Sequence, residues 1–177
     1  MDIKTKIRTV PDYPKKGIMF RDISTLLSDS KGLSESIEQL SKRYLDKKNE
    51  IDYIAGVESR GFIVGSALAL KLNKGFIMIR KPGKLPGNVI SQEYELEYGK
   101  DRIEIQANAF SSGSKILLVD DLIATGGTIM AAIKLIEALG GEIFETAFII
   151  NLPDLGGSKE ILQSGYSSYS LVEFEGG

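Results

Sequence analysis

The strongest constraint on the fold of this chain comes from three apolar segments between residues 116 and 150. Ile116–Val119 is apolar throughout, Ile129–Leu139 is a strongly apolar stretch of helical length closed by Gly140-Gly141, and Ile143–Ile150 is apolar but for Glu145 and Thr146. A short, fully apolar run bounded by turn residues reads as a strand buried on both faces, so the three segments form a β-α-β unit. Such a unit calls for parallel strands covered by helices on both faces, with ligands bound outside the carboxyl ends of the strands. The expected fold is therefore α/β, a central, mostly parallel sheet flanked by helices. Its site should lie just after Val119 and just after a second apolar strand, Ile51–Val57.

The rest of the chain fits that plan. Leu33, Ile37, Leu40 and Tyr44 recur at helical spacing behind the capping candidates Asp29 and Ser30, which predicts an amphipathic helix near 31–46. A turn at Glu58-Ser59-Arg60-Gly61 leads into a helix through Ile63–Leu72, and Phe76–Ile79 reads as another strand. From Arg80 to about Lys100 the pattern fails, because Pro82, Gly83, Pro86 and Gly87 interrupt a polar stretch. A loop of that length inside a compact domain is often a lid. With 177 residues, 42% of them hydrophobic, and no repeat or linker, one domain over 1–177 is expected.

Composition removes whole classes of chemistry. The chain has no cysteine and no histidine, which excludes disulfides, thiol nucleophiles and every imidazole base, and leaves hard cations bound through oxygen as the plausible metal chemistry, Mg2+ first among them. A net charge of −2 gives no basic excess for nucleic acid or a membrane surface. The polar start, Met1 to Lys6, has no apolar leader segment, and no later run spans a bilayer, so a cytoplasmic location is expected.

The most informative segment is Val119-Asp120-Asp121-Leu122-Ile123-Ala124-Thr125-Gly126-Gly127-Thr128. Two acids close an apolar strand, and a glycine-rich turn opens a helix. Gly126 and Gly127 allow a ligand to approach the backbone closely, and a helix N-terminus offers unpaired N–H groups with a partial positive charge. That arrangement cradles a phosphate. Thr125 and Thr128 add hydroxyl donors, while the neighbouring carboxylates suit hydroxyl groups or a developing positive charge, so a sugar phosphate satisfies both parts. The plain alternative is a capped helix with two solvated acids. Neither the P-loop pattern nor the dinucleotide fingerprint occurs in the chain.

The segment closely resembles the signature by which type I phosphoribosyltransferases bind phosphoribosyl pyrophosphate (PRPP). The resemblance implies that Asp120 and Asp121 hold the ribose hydroxyls and that Ala124, Thr125, Gly126, Gly127 and Thr128 enclose the 5′-phosphate. Val57-Glu58-Ser59-Arg60-Gly61-Phe62 resembles the family's pyrophosphate loop, with Ser59 and Arg60 as ligands. Physically, it sets a guanidinium and free N–H groups beyond a second strand end, the alternative for Arg60 being a surface pair with Glu58. Arg80-Lys81-Pro82-Gly83-Lys84 looks like the start of the family's flexible catalytic loop, here about 80–100, with Arg80, Lys81 and Lys84 as phosphate ligands.

On the loop's return, Tyr94-Glu95-Leu96-Glu97-Tyr98-Gly99 resembles the adenine-specific members of the family, where the matching acid, Glu97, is catalytic. Tyr13-Pro14-Lys15-Lys16-Gly17-Ile18-Met19-Phe20-Arg21-Asp22-Ile23 is similar to those members' hood, here about 1–28. Phe20 offers an aromatic face to a purine, backbone groups at Met19 and Arg21 can read its edge, and Leu122 joins them by resemblance. What the resemblance implies is transfer of the phosphoribosyl group of PRPP to adenine, giving AMP and pyrophosphate through an oxocarbenium-like transition state. Asp120, Asp121, Arg60 and Glu97 would carry the chemistry, with Mg2+ arriving on PRPP and held by no protein ligand. The family also implies a homodimer in which Arg80 reaches the neighbouring site. A regulator that kept the cradle without the chemistry would need a basic face or an added DNA-binding domain, and the chain shows neither.

Overall fold

In a computed structural model, residues 1–96 and 98–176 are described. The element order is β1 (Arg8–Pro11), β2 (Met19–Asp22), a single turn α1 (Ser24–Leu27), α2 (Ser30–Tyr44), β3 (Tyr53–Val57), α3 (Arg60–Leu72), β4 (Gly75–Ile79), β5 (Val89–Glu95), β6 (Lys100–Gln106), β7 (Lys115–Ile123), α4 (Gly127–Ala138), β8 (Glu142–Asn151), α5 (Gly157–Gln163) and β9 (Ser168–Glu173). Among the described residues, a five-stranded sheet runs in the order β4-β3-β7-β8-β9, with every pairing parallel.

Alternation along the strands divides the interior into two cores. Ile54, Leu117, Val119, Ala147 and Ile149 face α2 and α3, while Ala55, Ile116, Leu118 and Phe148 face α4 and α5. The central strand β7 therefore needs apolar residues on both faces, and Ile116 to Val119 are fully buried. Helix α2 begins where its cap allows, with Asp29 accepting hydrogen bonds from Lys31 N at 2.9 Å and Gly32 N at 3.0 Å. At its far end Arg43 donates to both carboxylate oxygens of Glu145 on β8, at 2.6 and 2.9 Å, and Tyr44 Oη donates at 2.6 Å. Burial would push the Glu145 carboxyl up, but these three donors hold it below its ordinary range.

Two elements depart from the sequence reading. The stretch after Arg80 is irregular only as far as Asn88, after which β5 and β6 form an antiparallel hairpin with Val89 opposite Gln106 and Glu95 opposite Lys100. The hairpin packs on α4, and Arg80 and Glu104 exchange backbone hydrogen bonds at 3.0 and 2.7 Å, which stitch it to the end of β4. Residues of β5 alternate half-buried and exposed, so no apolar run announces it. The second departure is β7 itself, which continues through the acid pair to Ile123. Its ladder to β3 stops at Val119 opposite Gly56, whereas its ladder to β8 runs on to Ile123 opposite Asn151. Asp120 and Asp121 thus lie inside the strand and beyond the end of its ladder to β3.

Candidate active site

That staggered ending opens a notch beside β7, and the start of α3 fills its far wall. Gly61 is required there because a Cβ at that position would stand 2.7 Å from Asp120 Oδ1. The two acids then part company. Asp121 is buried and accepts a 2.6 Å charged hydrogen bond from Arg60 Nε, while Asp120 makes no ion pair among the described residues and its Oδ1 accepts from Asp121 N at 2.8 Å. Burial, followed by the charge of Asp121, holds the Asp120 carboxyl well above the usual carboxylate range. Burial works against the charge on Arg60, but the Asp121 carboxylate and the hydrogen bond between them more than offset it and raise the guanidinium above its ordinary value.

The turn after β7 is shaped by two glycines from separate parts of the chain. Gly126 has a φ of +93°, and a Cβ on it would lie 2.9 Å from Gly157 Cα; a Cβ on Gly157 would meet Ala124 O at 2.5 Å and Gly126 N at 2.8 Å. Gly157 N donates to Ala124 O at 2.9 Å, which clamps the start of α5 onto the turn. Arg60, Asp120, Asp121, Leu122 and Ala124 through Thr128 surround a cavity of about 200 Å³. An adjoining cavity of about 330 Å³ shares Arg60, Asp120, Asp121 and Thr128 with the first and adds Glu58, Ser59, Lys81 and Tyr94. A phosphate at the helix end, a sugar on the acids and a second anionic group over residues 58–60 would fit this double cavity.

Phe20 approaches from the ribbon formed by β1 and β2. Its ring lies 5.9 Å from Arg60 Cζ and packs edge-on to Tyr13 at 5.1 Å. Arg21, one residue on, turns its side chain to the opposite face of the ribbon, donating to Thr9 Oγ1 at 2.7 Å. Met19 is exposed and lines neither cavity. Arg80 and Lys84 also stay outside: Arg80 Nε donates to Glu58 at 3.3 Å, and Lys84 is exposed. The pair considered for Arg60, with Glu58, is thus made by Arg80, and Arg60 is bound to Asp121 instead. Lys81 reaches the cavity wall, but its ammonium is engaged by Asp101 and by Tyr94 Oη at 3.1 Å. Glu97 lies outside the described residues.

Sequence reasoning missed Gly157, Tyr94, Asp101 and the C-terminal segment. Only Gly157 left a local signal, since Gly156-Gly157 stand at the opening of a short helix much as Gly126-Gly127 do. Tyr94 and Asp101 become meaningful only once β5 and β6 are paired, with Tyr94 opposite Asp101.

Known proteins share this arrangement. Residues 23–170 match the family model described as the phosphoribosyl transferase domain. An adenine phosphoribosyltransferase of Chlorobium limicola is 58% identical over 176 residues, covering 99% of both chains. The crystal structure of adenine phosphoribosyltransferase from Thermoanaerobacter pseudethanolicus superposes with a TM-score of 0.92 at 48% identity, covering 98% of each chain. The Saccharomyces cerevisiae enzyme, crystallised with an imino-altritol bisphosphate and adenine, gives 0.91 at 38% identity over 97% of each. The family model begins just after the β1–β2 ribbon, whereas the relative's likeness includes that ribbon as well. By agreement of sequence and structure over nearly its whole length, the chain belongs to the phosphoribosyl transferase domain family and, within it, to the adenine phosphoribosyltransferases.

Proposed function

We propose that this chain salvages adenine, transferring the phosphoribosyl group of PRPP to adenine and releasing AMP and pyrophosphate. The observation that carries the proposal is the convergence of Arg60, the acid pair and the turn 124–128 on one double cavity, with the Phe20 ring 5.9 Å from Arg60 Cζ. In this reading the N–H groups at the start of α4, with Thr125 and Thr128, hold the 5′-phosphate, and Asp120 and Asp121 hold the ribose hydroxyls. Ser59, Arg60 and the backbone of their loop receive the pyrophosphate, joined by Arg80, Lys81 and Lys84 when the loop of about 80–100 folds over the ligand. Breaking the C1′–oxygen bond leaves an oxocarbenium-like ribosyl centre above the carboxylates, whose negative charge favours it. Purine N9 then bonds to C1′ and its proton leaves, a transfer assigned to Glu97. Met19, Phe20, Arg21 and Leu122 form the adenine subsite, and the chain acts as one domain with a hood of about 1–28.

Mg2+ bound on PRPP would neutralise charge on the departing pyrophosphate. Among the described residues no three acids converge on one point, so the oxygen donors that a hard cation needs would come chiefly from the phosphates. The proposed assembly is a homodimer in the cytoplasm, with neither nucleic acid nor membrane as partner. Ile63 and Leu70 on α3, spaced two turns apart, and Met78 on the edge strand β4 leave exposed apolar surface that a second copy would cover.

Initial rates with adenine, hypoxanthine and guanine, each with PRPP and Mg2+, test the assignment. Adenine presents an amino donor where both 6-oxopurines present an acceptor, and sites built on substrate hydrogen bonds discriminate by up to roughly 10⁴-fold. Hypoxanthine used as well as adenine would falsify the base assignment. Sedimentation of the free protein at monomer mass would remove the dimer.

A further inference from the structure

The C-terminal segment carries no motif, yet it grips the back of the ribbon. Arg21 Nη2 donates to Glu175 O at 3.1 Å, and its guanidinium lies 4.7 Å from the centre of the Phe174 ring. Lys4 Nζ lies 4.8 Å from the centre of the same ring. The segment is itself anchored to the sheet: Phe174 N donates to Asn151 O at 3.1 Å at the end of β8, and Gly176 N donates to Asp154 at 2.7 Å. A continuous chain of contacts thus runs from β8 through Phe174 and Arg21 to the residue beside Phe20.

The geometry of β2 turns that chain of contacts into a positioning device. Successive side chains of a strand point to opposite faces, so the pull on Arg21 acts behind the face that turns Phe20 toward Arg60. No residue of β1 or β2 is buried, so the ribbon has little core of its own to fix its distance from Arg60. We infer that Phe174 and the segment through Gly176 act as a clasp that holds the adenine subsite in its binding position, making Phe174 a positioning residue for the base. The inference rests on the proposed adenine subsite at Phe20. Without the clasp the ribbon would spend part of its time displaced, and the apparent affinity for the base would fall by the fraction lost, while the 5′-phosphate and pyrophosphate sites would be unaffected.

The test is steady-state kinetics with adenine and PRPP varied separately. Phe174→Leu keeps an apolar side chain but removes the aromatic face, and should raise KM for adenine about 5- to 10-fold, the scale of one partly desolvated cation–π contact. KM for PRPP and kcat should stay within about twofold, and Phe174→Tyr should restore the adenine KM. Arg21→Lys, which cannot span Thr9, Phe174 and Glu175 together, should raise the same constant, and the Arg21→Lys/Phe174→Leu double variant should exceed the larger single effect by less than twofold. These variants also serve if Phe174→Leu fails to fold. An unchanged adenine KM in Phe174→Leu, an equal rise in KM for PRPP, or additive effects in the double variant would each overturn the clasp. Phe20→Ala separates the two ideas: if it too leaves the adenine KM unchanged, the subsite is wrong, and if it raises that constant while Phe174→Leu does not, only the clasp fails.

Discussion

The turn after β7 lines the double cavity, the β1–β2 ribbon meets its Arg60 through Phe20, and the two are held by different physics. The turn is bracketed by Ile123 and Ile129, 1% and 2% exposed, and is closed from behind by Gly157, whose N–H donates to Ala124 O at 2.9 Å and which has no room for a Cβ. The ribbon is pinned through Ile7 and Ile23 at its open end only, with Arg8 on Asp22 at 2.5 Å beside them and Arg21 on Thr9 one pair further along. Close packing leaves the turn one position, which suits charge stabilisation in a transition state, where a small displacement is costly. Surface hydrogen bonds and a cation–π contact leave the ribbon free to yield, which suits a base that has to enter and leave.

The largest expected effect breaks the rigid side of the comparison at its charges. Asp120→Asn and Asp121→Asn should each lower kcat by about 10²-fold or more, the scale of a transition-state electrostatic contact. Their stabilities should move in opposite directions. The Asp120 carboxyl titrates above its unfolded value, so the folded state binds the extra proton, and the contribution of this group to stability falls as pH rises from about 4 through the raised value. Asp120→Asn should therefore raise Tm at pH 8 and do so less at pH 5, whereas Asp121→Asn, which strips Arg60 of its partner, should lower Tm at both. Thermal scans at the two pH values check this, and equal shifts would mean that the acids are equivalent after all. The opposite slope is expected from Asp22, held down to about 2 chiefly by the Ser24 N–H and by Arg8, whose contribution is lost as pH falls below about 4.

Gly157→Ala probes the packing of the turn without touching a charge. Its Cβ would drive against Ala124 O and Gly126 N, and overpacking of this kind costs about 1–3 kcal/mol. KM for PRPP should rise roughly tenfold with the adenine KM nearly unchanged. A fall in Tm with normal KM for PRPP would make Gly157 purely structural. On the yielding side, Phe20→Ala should raise the adenine KM by roughly 3- to 10-fold, as loss of one aromatic contact predicts, without altering the preference for adenine over hypoxanthine.

The smallest effect belongs to the hairpin that closes the double cavity. Asp101 and Tyr94 hold Lys81, whose ammonium is raised above its ordinary value by them against the opposing effect of burial. Asp101→Asn should free that lysine for phosphate and lower KM for PRPP by about 2- to 3-fold, consistent with the modest strength of exposed pairs. Proteolysis of the free protein should cut between residues 81 and 88 faster in the variant, and an unchanged rate would show that Asp101 does not restrain the loop.

Most of the acid-pair and glycine-turn half of the candidate site was legible in the sequence because its information is local. The apolar run at 116–119 and the mostly apolar one at 143–150 specify buried strands, and the glycine turn at Gly126-Gly127 specifies a helix start, so the position of the candidate cradle follows from residues adjacent in the chain. The inequality of two neighbouring aspartates was decided only by tertiary structure. Nothing in Asp120-Asp121 says that one meets an arginine 61 positions away while the other, half-buried, makes no ion pair among the described residues. The ribbon, the hairpin and the clasp were hidden for the same reason. Short, half-exposed strands carry no strong periodicity, and their defining contacts span 154 residues between Arg21 and Glu175 and 20 between Lys81 and Asp101. A side chain's spacing along the chain reports its own element, whereas its partners and its burial depend on how distant elements are brought together in the fold.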